Sequence, residues 1–287
     1  MLKQLTLGDR FQLGLGTERG MYGLATGLLG VGFLIAEGAV LSAHGIDSGA
    51  IALVAVLAAS MVSSIAGFAF SALCGALLFH VMRDPVYVVQ VMIVCSIAIQ
   101  LLSVTSLWRS IDWRSLPVFL AGGILGVPAG AYLLLHLPSG AYRAVIGGLL
   151  IAYGAYLVLR RPTRPLRTGV LSDACAGLLG GVTGGLVGFP GAFVTIWCGL
   201  KGWDKARQRG VYQPFILIMQ PISLVAIGLM RPTSAAAAPL DWKMLAFVPA
   251  ALLGAWFGLR IFKCLSDRQF ELAVSALLVV SGIGLML

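Results

Sequence analysis

Charge is scarce in this 287-residue chain: 11% of its residues are Asp, Glu, Lys or Arg, against about 25% in a soluble domain. That scarcity excludes a water-covered globule. Cysteines number five and histidines three. His44, His80 and His136 fall near the ends of apolar segments without metal-ligand spacing, so no metal site is expected. Cys74, Cys95, Cys175, Cys198 and Cys264 show no CxxC spacing, all lie in apolar segments, and read as small packing residues. Neither G-x-S-x-G nor H-E-x-x-H occurs, and no apolar segment holds a pair of carboxylates. These absences argue against an intramembrane enzyme and leave no cofactor to expect. A cleavable signal is not expected either, because Lys3, Asp9, Arg10, Glu18 and Arg19 precede the first apolar run and no small-residue cleavage site follows a short apolar region.

What the chain has is apolar residues, 59% of the total, with a mean hydropathy of +0.96. Long apolar segments run over Tyr22–Ala43, Val86–Trp108, Leu116–His136, Tyr142–Leu159, Tyr212–Met230, Met244–Phe262 and Phe270–Leu287. Two further stretches, Gly49–Met82 and Gly169–Leu200, are the wrong length for a span. At about 1.5 Å per residue either would make a helix of about 50 Å, well beyond a hydrocarbon core of about 30 Å, yet neither holds two spans of about 20 residues and a turn. Each is broken near its middle, at Gly67-Phe68 and at Gly188-Phe189-Pro190-Gly191. The pattern predicts two helical hairpins that enter the membrane and turn back. Paired broken helices in matching halves point to a transport site.

The net charge of +9 follows from orientation. With both hairpins returning to their own side, every basic residue except Arg83, Arg143, Arg231 and Lys243 falls on one face. Letting the long stretches cross destroys that asymmetry, so the positive-inside rule selects the hairpins. The N-terminus is then cytoplasmic and the C-terminus external. Nucleic acid is not expected as a partner, since no aromatic residues interleave with the basic ones.

Internal similarity agrees. Ile65-Ala66-Gly67-Phe68 parallels Leu186-Val187-Gly188-Phe189, Val88-Val89-Gln90 parallels Val211-Tyr212-Gln213, and Ile111-Asp112-Trp113-Arg114 parallels Leu240-Asp241-Trp242-Lys243. Gly126 and Gly130 fall on Gly254 and Gly258, small-xxx-small pairs suited to close packing in lipid. The predicted fold is an all-α polytopic membrane protein with two inverted repeats, each a broken-helix (re-entrant) hairpin plus three transmembrane helices, and one extra N-terminal helix. Residues 1–48 form that extra helix with a cytoplasmic lead, 49–160 the first repeat, 161–168 a basic cytoplasmic linker, and 169–287 the second repeat. Asp112 and Asp241 read as N-caps.

These halves, the glycine-rich breaks and the polar start of the next span resemble the TauE/SafE family of sulfite exporters over most of residues 49–287. The run Gly180-Gly181-Val182-Thr183-Gly184-Gly185-Leu186-Val187-Gly188-Phe189-Pro190-Gly191 carries the resemblance best. The first half departs from it with Ala69-Phe70-Ser71 where the family usually has a glycine cluster. The resemblance implies a permease, in a bacterial inner membrane, for sulfite, an organosulfonate or another small anion such as thiosulfate or a carboxylate. Its partners would be that anion and the lipid bilayer, with a homodimer left open.

Independently, the amino end of each second half-helix offers unpaired N–H groups and partial positive charge, which suit an anion. The residues expected at the site are Gly67, Phe68, Ser71, Gly188, Phe189, Gly191 and Thr195 at the tips, with Gln90, Gln100, Gln213 and Gln220 on the spans that follow. Each has a plainer role: the hydroxyls can bond their own helix, and the glutamines can be interhelical glue. Arg83, Arg207 and Arg209 are vestibule candidates, although topology alone explains the last two. Glu37 and Asp173 are candidates for coupling, against ordinary pairing or snorkelling. A sulfur-handling role for Cys74 or Cys198 is the minor alternative to packing, and a passive channel the alternative to a carrier.

Overall fold

The computed structural model describes residues 48–66, 70–82, 84–159, 165–166, 168–231, 242–261, 275–276, 278–280, 282–284 and 286. Among these the regular structure is helical: α1 (Ser48–Ala66), α2 (Phe70–Val81), α3 (Pro85–Leu107), α4 (Leu116–His136), α5 (Ser139–Leu159), α6 (Val170–Val187), α7 (Gly191–Leu200), α8 (Lys205–Met230) and α9 (Val248–Ile261). Short 3-10 turns at Trp108–Ser110 and Trp242–Phe247 precede α4 and α9, and the described residues from 275 to 286 are helical. Among the described residues five spans are long and apolar enough to cross a membrane: Pro85–Thr105, Leu116–His136, Gly140–Leu159, Val170–Val187 and Lys205–Met230. The chain is a polytopic helical membrane protein. The segment Tyr22–Ala43, the first tip at Gly67-Phe68, Glu37, Arg83, Asp241 and Cys264 lie outside the described residues.

Helix starts are set by local chemistry. Asp84 accepts the Val86 N–H at 2.9 Å with Pro85 at the first helical position, where its missing N–H costs nothing. Asp204 accepts the Arg207 N–H at 3.0 Å and starts α8. Asp112 accepts from the backbone N–H groups of Arg114 and Ser115 and caps the turn that leads into α4. Helix α8 runs through Pro214 and Pro221. Pro214 removes the N–H that would reach the Gly210 carbonyl, and that oxygen accepts the Asp112 N–H at 3.2 Å instead.

The tightest packing joins α4 to α6. A Cβ on Gly122, Gly126 or Gly130 would stand 1.9, 2.1 or 2.0 Å from the carbonyl oxygens of Ala174, Leu178 and Val182. From the other side, a Cβ on Gly177, Gly181 or Gly185 would stand 2.1, 2.0 or 2.4 Å from those of Phe119, Gly123 and Val127. The two backbones therefore touch along three successive turns. Helix α9 lies on α1 in the same way at one point, where a Cβ on Gly254 would be 2.3 Å from the Leu57 carbonyl oxygen.

Helices α3 and α8 pack antiparallel. Arg231 at the end of α8 meets Asp84 at the start of α3 at 3.6 Å, and Gly210 near the start of α8 meets Asp112 beyond the end of α3. Helix α5 packs on the C-terminal helical residues, with the Ser275 hydroxyl donating to the Gly154 carbonyl. Large apolar side chains such as Leu125, Leu171 and Leu229 face outward, while Gln90, Gln100, Gln213 and Gln220 are buried. Three cysteines, Cys74, Cys95 and Cys198, are buried as expected of packing residues, whereas Cys175 is exposed.

The glycine contact gives a sharp expectation. Gly126→Ala should lower the thermal stability of the detergent-purified protein by about 1–3 kcal/mol or prevent folding, as overpacking does. Gly148, where a Cβ would meet nothing within 4 Å, is the control: Gly148→Ala should be neutral or stabilise by about 0.5–1 kcal/mol. Equal melting curves for the two variants would contradict the α4–α6 contact.

Candidate functional site

Helix α6 ends where the sequence breaks. Gly188 has φ +63, a left-handed conformation that a side chain would strain, and its N–H closes back on the Gly184 carbonyl at 3.0 Å. Phe189 follows, its N–H donating to the Thr183 carbonyl at 3.2 Å. Pro190 then starts α7 without any side-chain cap. The left-handed residue of the tip is Gly188; Gly191 is the first residue of α7 and does not have positive φ.

Helix α7 runs back beside α6. At the far end Asp173 of α6 accepts from Lys201 Nζ at 2.8 and 2.7 Å and from Trp197 Nε1 at 2.8 Å. Both side chains of the ion pair are 12% exposed. The tip lies about 15 Å along α7 from this tie, from the helical rise of about 1.5 Å per residue.

Each glycine doublet of α6 serves two faces. Gly181 and Gly185 face α4, while Gly180 and Gly184 face the returning tip: a Cβ on Gly180 would stand 2.8 Å from the Pro190 carbonyl oxygen, and one on Gly184 3.0 Å from Pro190 Cβ. The tip is held from outside as well. The Tyr142 hydroxyl of α5 donates to the Leu186 carbonyl at 2.9 Å, and the Tyr153 ring meets Phe189 edge-on at 5.5 Å. Val89 and Ile93 of α3 close over Gly188.

The expected site residues fall into three groups. Ser71, in the first turn of α2, and Phe189 line one small pocket with Phe79, Met92, Ile146 and Val187, with room for about one water molecule. Gly188 lies against Val89 and Ile93, the neighbours of Gln90 on α3. Gln213 and Gln220 are buried on α8 and do not line that cavity. Apart from Ser71 the cavity wall is apolar, so the buried amides and the cavity are separate features. Thr195 donates its hydroxyl proton to the Gly191 carbonyl at 2.6 Å, which leaves its oxygen as an acceptor only. Gln100, buried on α3, comes at about the depth of Gln220, counting inward from the two ties between α3 and α8.

Asp173, Arg207 and Arg209 stand away from the tip. Asp173 belongs to the hairpin tie just described. Arg207 Nε donates to Asp112 at 3.0 Å, and its guanidinium lies over the Trp203 ring at 4.2 Å. Burial pushes the Asp112 carboxyl up, but the Ser115 N–H, Arg207 and the Ser115 hydroxyl outweigh it and hold the pKa below the ordinary value. That stabilisation is present above the unfolded carboxylate's pKa and is lost as pH falls through the lowered one. Arg209, near the same end of α8, is exposed.

Sequence reasoning missed Ser223, which is fully buried on α8 with its hydroxyl unpartnered. One signal could have found it. Ser223 follows Gln213 at the same ten-residue spacing by which Gln100 follows Gln90.

The hairpin tie is testable. Removing one partner of a largely buried ion pair leaves an uncompensated charge and costs about 3–5 kcal/mol, whereas replacing both by apolar residues is often neutral. Asp173→Leu and Lys201→Leu should each lower the melting temperature, and the double variant should recover most of the loss. A double variant no better than the worse single one would show that the two groups do not act as a pair.

A family model described as Sulfite exporter TauE/SafE matches residues 51–285. No curated protein and no solved structure matches the chain.

Proposed function

Because the chain belongs to the TauE/SafE sulfite exporter family, we propose that it is a carrier for a small sulfur-containing oxyanion, sulfite or an organosulfonate, bound near the bilayer midplane between two hairpin tips. The observation that carries this reading is the broken pair α6–α7. Its tip buries an uncapped helix start, and its far ends are tied together by Asp173 and Lys201. A distance of about 15 Å from tie to tip is half of a hydrocarbon core of about 30 Å thickness. Irregular backbone at such depth is tolerated only where protein or a water-filled cavity surrounds it, and here Tyr142, Tyr153, Val89 and Ile93 surround it. Helix α6 is in this view half of a re-entrant hairpin.

The second element of the proposal is the inverted repeat, residues 49–160 against 169–287. Exchanging α1 with α6, α2 with α7, α3 with α8 and α4 with α9 turns each main contact into another. The glycine face of α4 lies on α6, and Gly254 of α9 lies on α1; α3 and α8 cross antiparallel. Such an exchange is what a two-fold axis in the membrane plane produces. Ser71 at the start of α2 shares a cavity with Phe189 of the opposite tip. The proposed placement is a bacterial inner membrane, with the N-terminus and the 161–168 linker cytoplasmic and the C-terminus external.

Single cysteines placed at Arg164 and at Lys205 in a cysteine-free background should both be labelled only from the cytoplasmic side of oriented vesicles. Labelling of the second from outside would mean that 169–200 crosses the membrane.

In proteoliposomes, sulfite flux should saturate, show counterflow, and be inhibited by organosulfonates but not by cations or neutral sugars. Gly188→Val, which puts a branched side chain at φ +63 against Ile93, should abolish flux in a correctly inserted protein. Flux that never saturates would indicate a channel, inhibition by thiosulfate or carboxylates alone another anion, and saturable cation transport without anion dependence would overturn the reading.

A further inference from the structure

Hydroxyls within these helices commonly bond their own backbone. Ser60 donates to the Val56 carbonyl, Thr183 to those of Leu179 and Gly180, and Thr195 to that of Gly191. Ser223 does not. It is 0% exposed, and its Oγ has no partner. One turn earlier Gln220 is 1% exposed, and neither its Oε1 nor its Nε2 has a partner. Residues three apart share a helix face, so both side chains address one region. Unmet polar atoms in a buried site oppose folding, and such a cluster in a native structure calls for an explanation, of which a bound ion is one.

The region is the tip of the second hairpin. A Cβ on Gly184 would lie 3.3 Å from Ser223 Oγ and 3.0 Å from Pro190 Cβ. The Ser223 hydroxyl thus stands over the bare face of Gly184, beside the residue that starts α7. Helix α7 has 10 residues and no side-chain cap, and its first-turn N–H groups have no acceptor within the helix. The atoms nearest the bare faces of Gly180 and Gly184 belong to the uncharged Pro190, Phe215 and Ser223. Among the described residues Asp173 is the one charged side chain that is buried, and it is occupied with Lys201 at the opposite end of the hairpin.

Resting on the anion-transport reading, we propose that Gln220 and Ser223, with the amino end of α7, form a cation-free seat that takes singly charged sulfur oxyanions, R–SO3− or HSO3−, and refuses dianions. The donors are an amide NH2, a hydroxyl and helix N–H groups, numerous enough to meet the three oxygens of a sulfonate. All are neutral. The cost of dehydrating an ion rises with the square of its charge, and only a paired opposite charge or many hydrogen bonds can offset it in a buried site. A doubly charged sulfite or sulfate ion therefore meets a penalty about four times larger with no cation to answer it. A side chain at Gly184 would press on both Pro190 and the Ser223 hydroxyl, so the bare backbone there is what lets the two approach.

The test measures binding to the full-length, detergent-purified protein by calorimetry, with thermal stabilisation as a second readout. The probes are methanesulfonate, sulfite and sulfate, each at two pH values on either side of hydrogensulfite's own pKa. Methanesulfonate affinity should not change between the two. Sulfite affinity should fall about tenfold per pH unit above that pKa, as the competent fraction shrinks, and sulfate should not bind. Ser223→Ala and Gln220→Met exchange unpartnered polar groups for apolar ones of similar shape, so each should keep or raise the melting temperature. Each should weaken methanesulfonate binding about tenfold or more, the size of one lost hydrogen bond to a charged group. If methanesulfonate binds the wild type and both variants equally, or sulfate binds as well as methanesulfonate, the seat is wrong and the transport reading stands. If none of the three anions binds the wild type at either pH, both fall.

Discussion

Direct backbone contact between α4 and α6 is the constraint on which the rest of the architecture depends. In lipid no hydrophobic force drives one apolar helix onto another, so association relies on close packing and on polar contacts. Six glycines interleave with six carbonyl oxygens across this interface, each too close to admit a Cβ. Approach of this kind favours weak Cα–H···O contacts, individually small and here repeated over three turns. Because α4 belongs to the first half of the chain and α6 to the second, the contact fastens the halves to each other. It also sets the position of the second hairpin, whose turn begins where α6 stops. Gly180 and Gly184 then present a second bare face to Pro190. The glycine doublets are thus two interfaces written into one helix.

Polarity is arranged outside-in relative to a soluble protein. Leucines such as Leu125, Leu171 and Leu229 face outward, buried amides lie along α3 and α8, and the ion pairs sit near helix ends. Among the described residues three carboxylates do the fastening there: Asp84 with Arg231, Asp112 with Arg207, and Asp173 with Lys201. Each joins two different elements near a helix end; Asp84 and Arg207 stay half-exposed, whereas the Asp173–Lys201 pair that ties α6 to α7 is largely buried and the costliest to break.

Much of this was legible from apolar pattern and glycine alone. The segment Leu116–His136 coincides with α4, and the break proposed at Gly188–Gly191 is where α6 ends and α7 begins. Other features were hidden for definite reasons. Helix α8 starts at Lys205, well before the apolar run at Tyr212, because Asp204 caps a polar first turn and Asp112 accommodates Pro214. Small-xxx-small spacing shows that a helix has a bare face but does not name the partner, so Gly126 could not be assigned to α6. At the site, Gln213 and Gln220 were visible as amides in an apolar run. Ser223 was not, since serine in a helix ordinarily bonds its own backbone, and only the three-dimensional structure shows that this one does not. Thr195 is the converse case, a hydroxyl at the expected tip whose proton the Gly191 carbonyl already takes.

Local rules fail together in one place, and that coincidence carries more weight than any single failure. Helices α3 and α8 begin on an aspartate cap, and the turn into α4 does too; α6 begins uncapped on Gly169 at its outer end, and α7 begins uncapped on a proline at the buried tip. Positive φ occurs among the described residues at Gly188 and Gly202 only. Gly202 lies in the connection before α8, whereas Gly188 is buried at the tip. Unpartnered buried atoms at Gln220 and Ser223 lie on the helix that faces this same tip. Each departure alone has an ordinary remedy, a cap, a side chain or a back-bonded hydroxyl, that would cost the fold little. A sequence that leaves all of them unremedied around one turn gives up stability at that turn, as proteins do where the backbone and its donors are needed for a ligand.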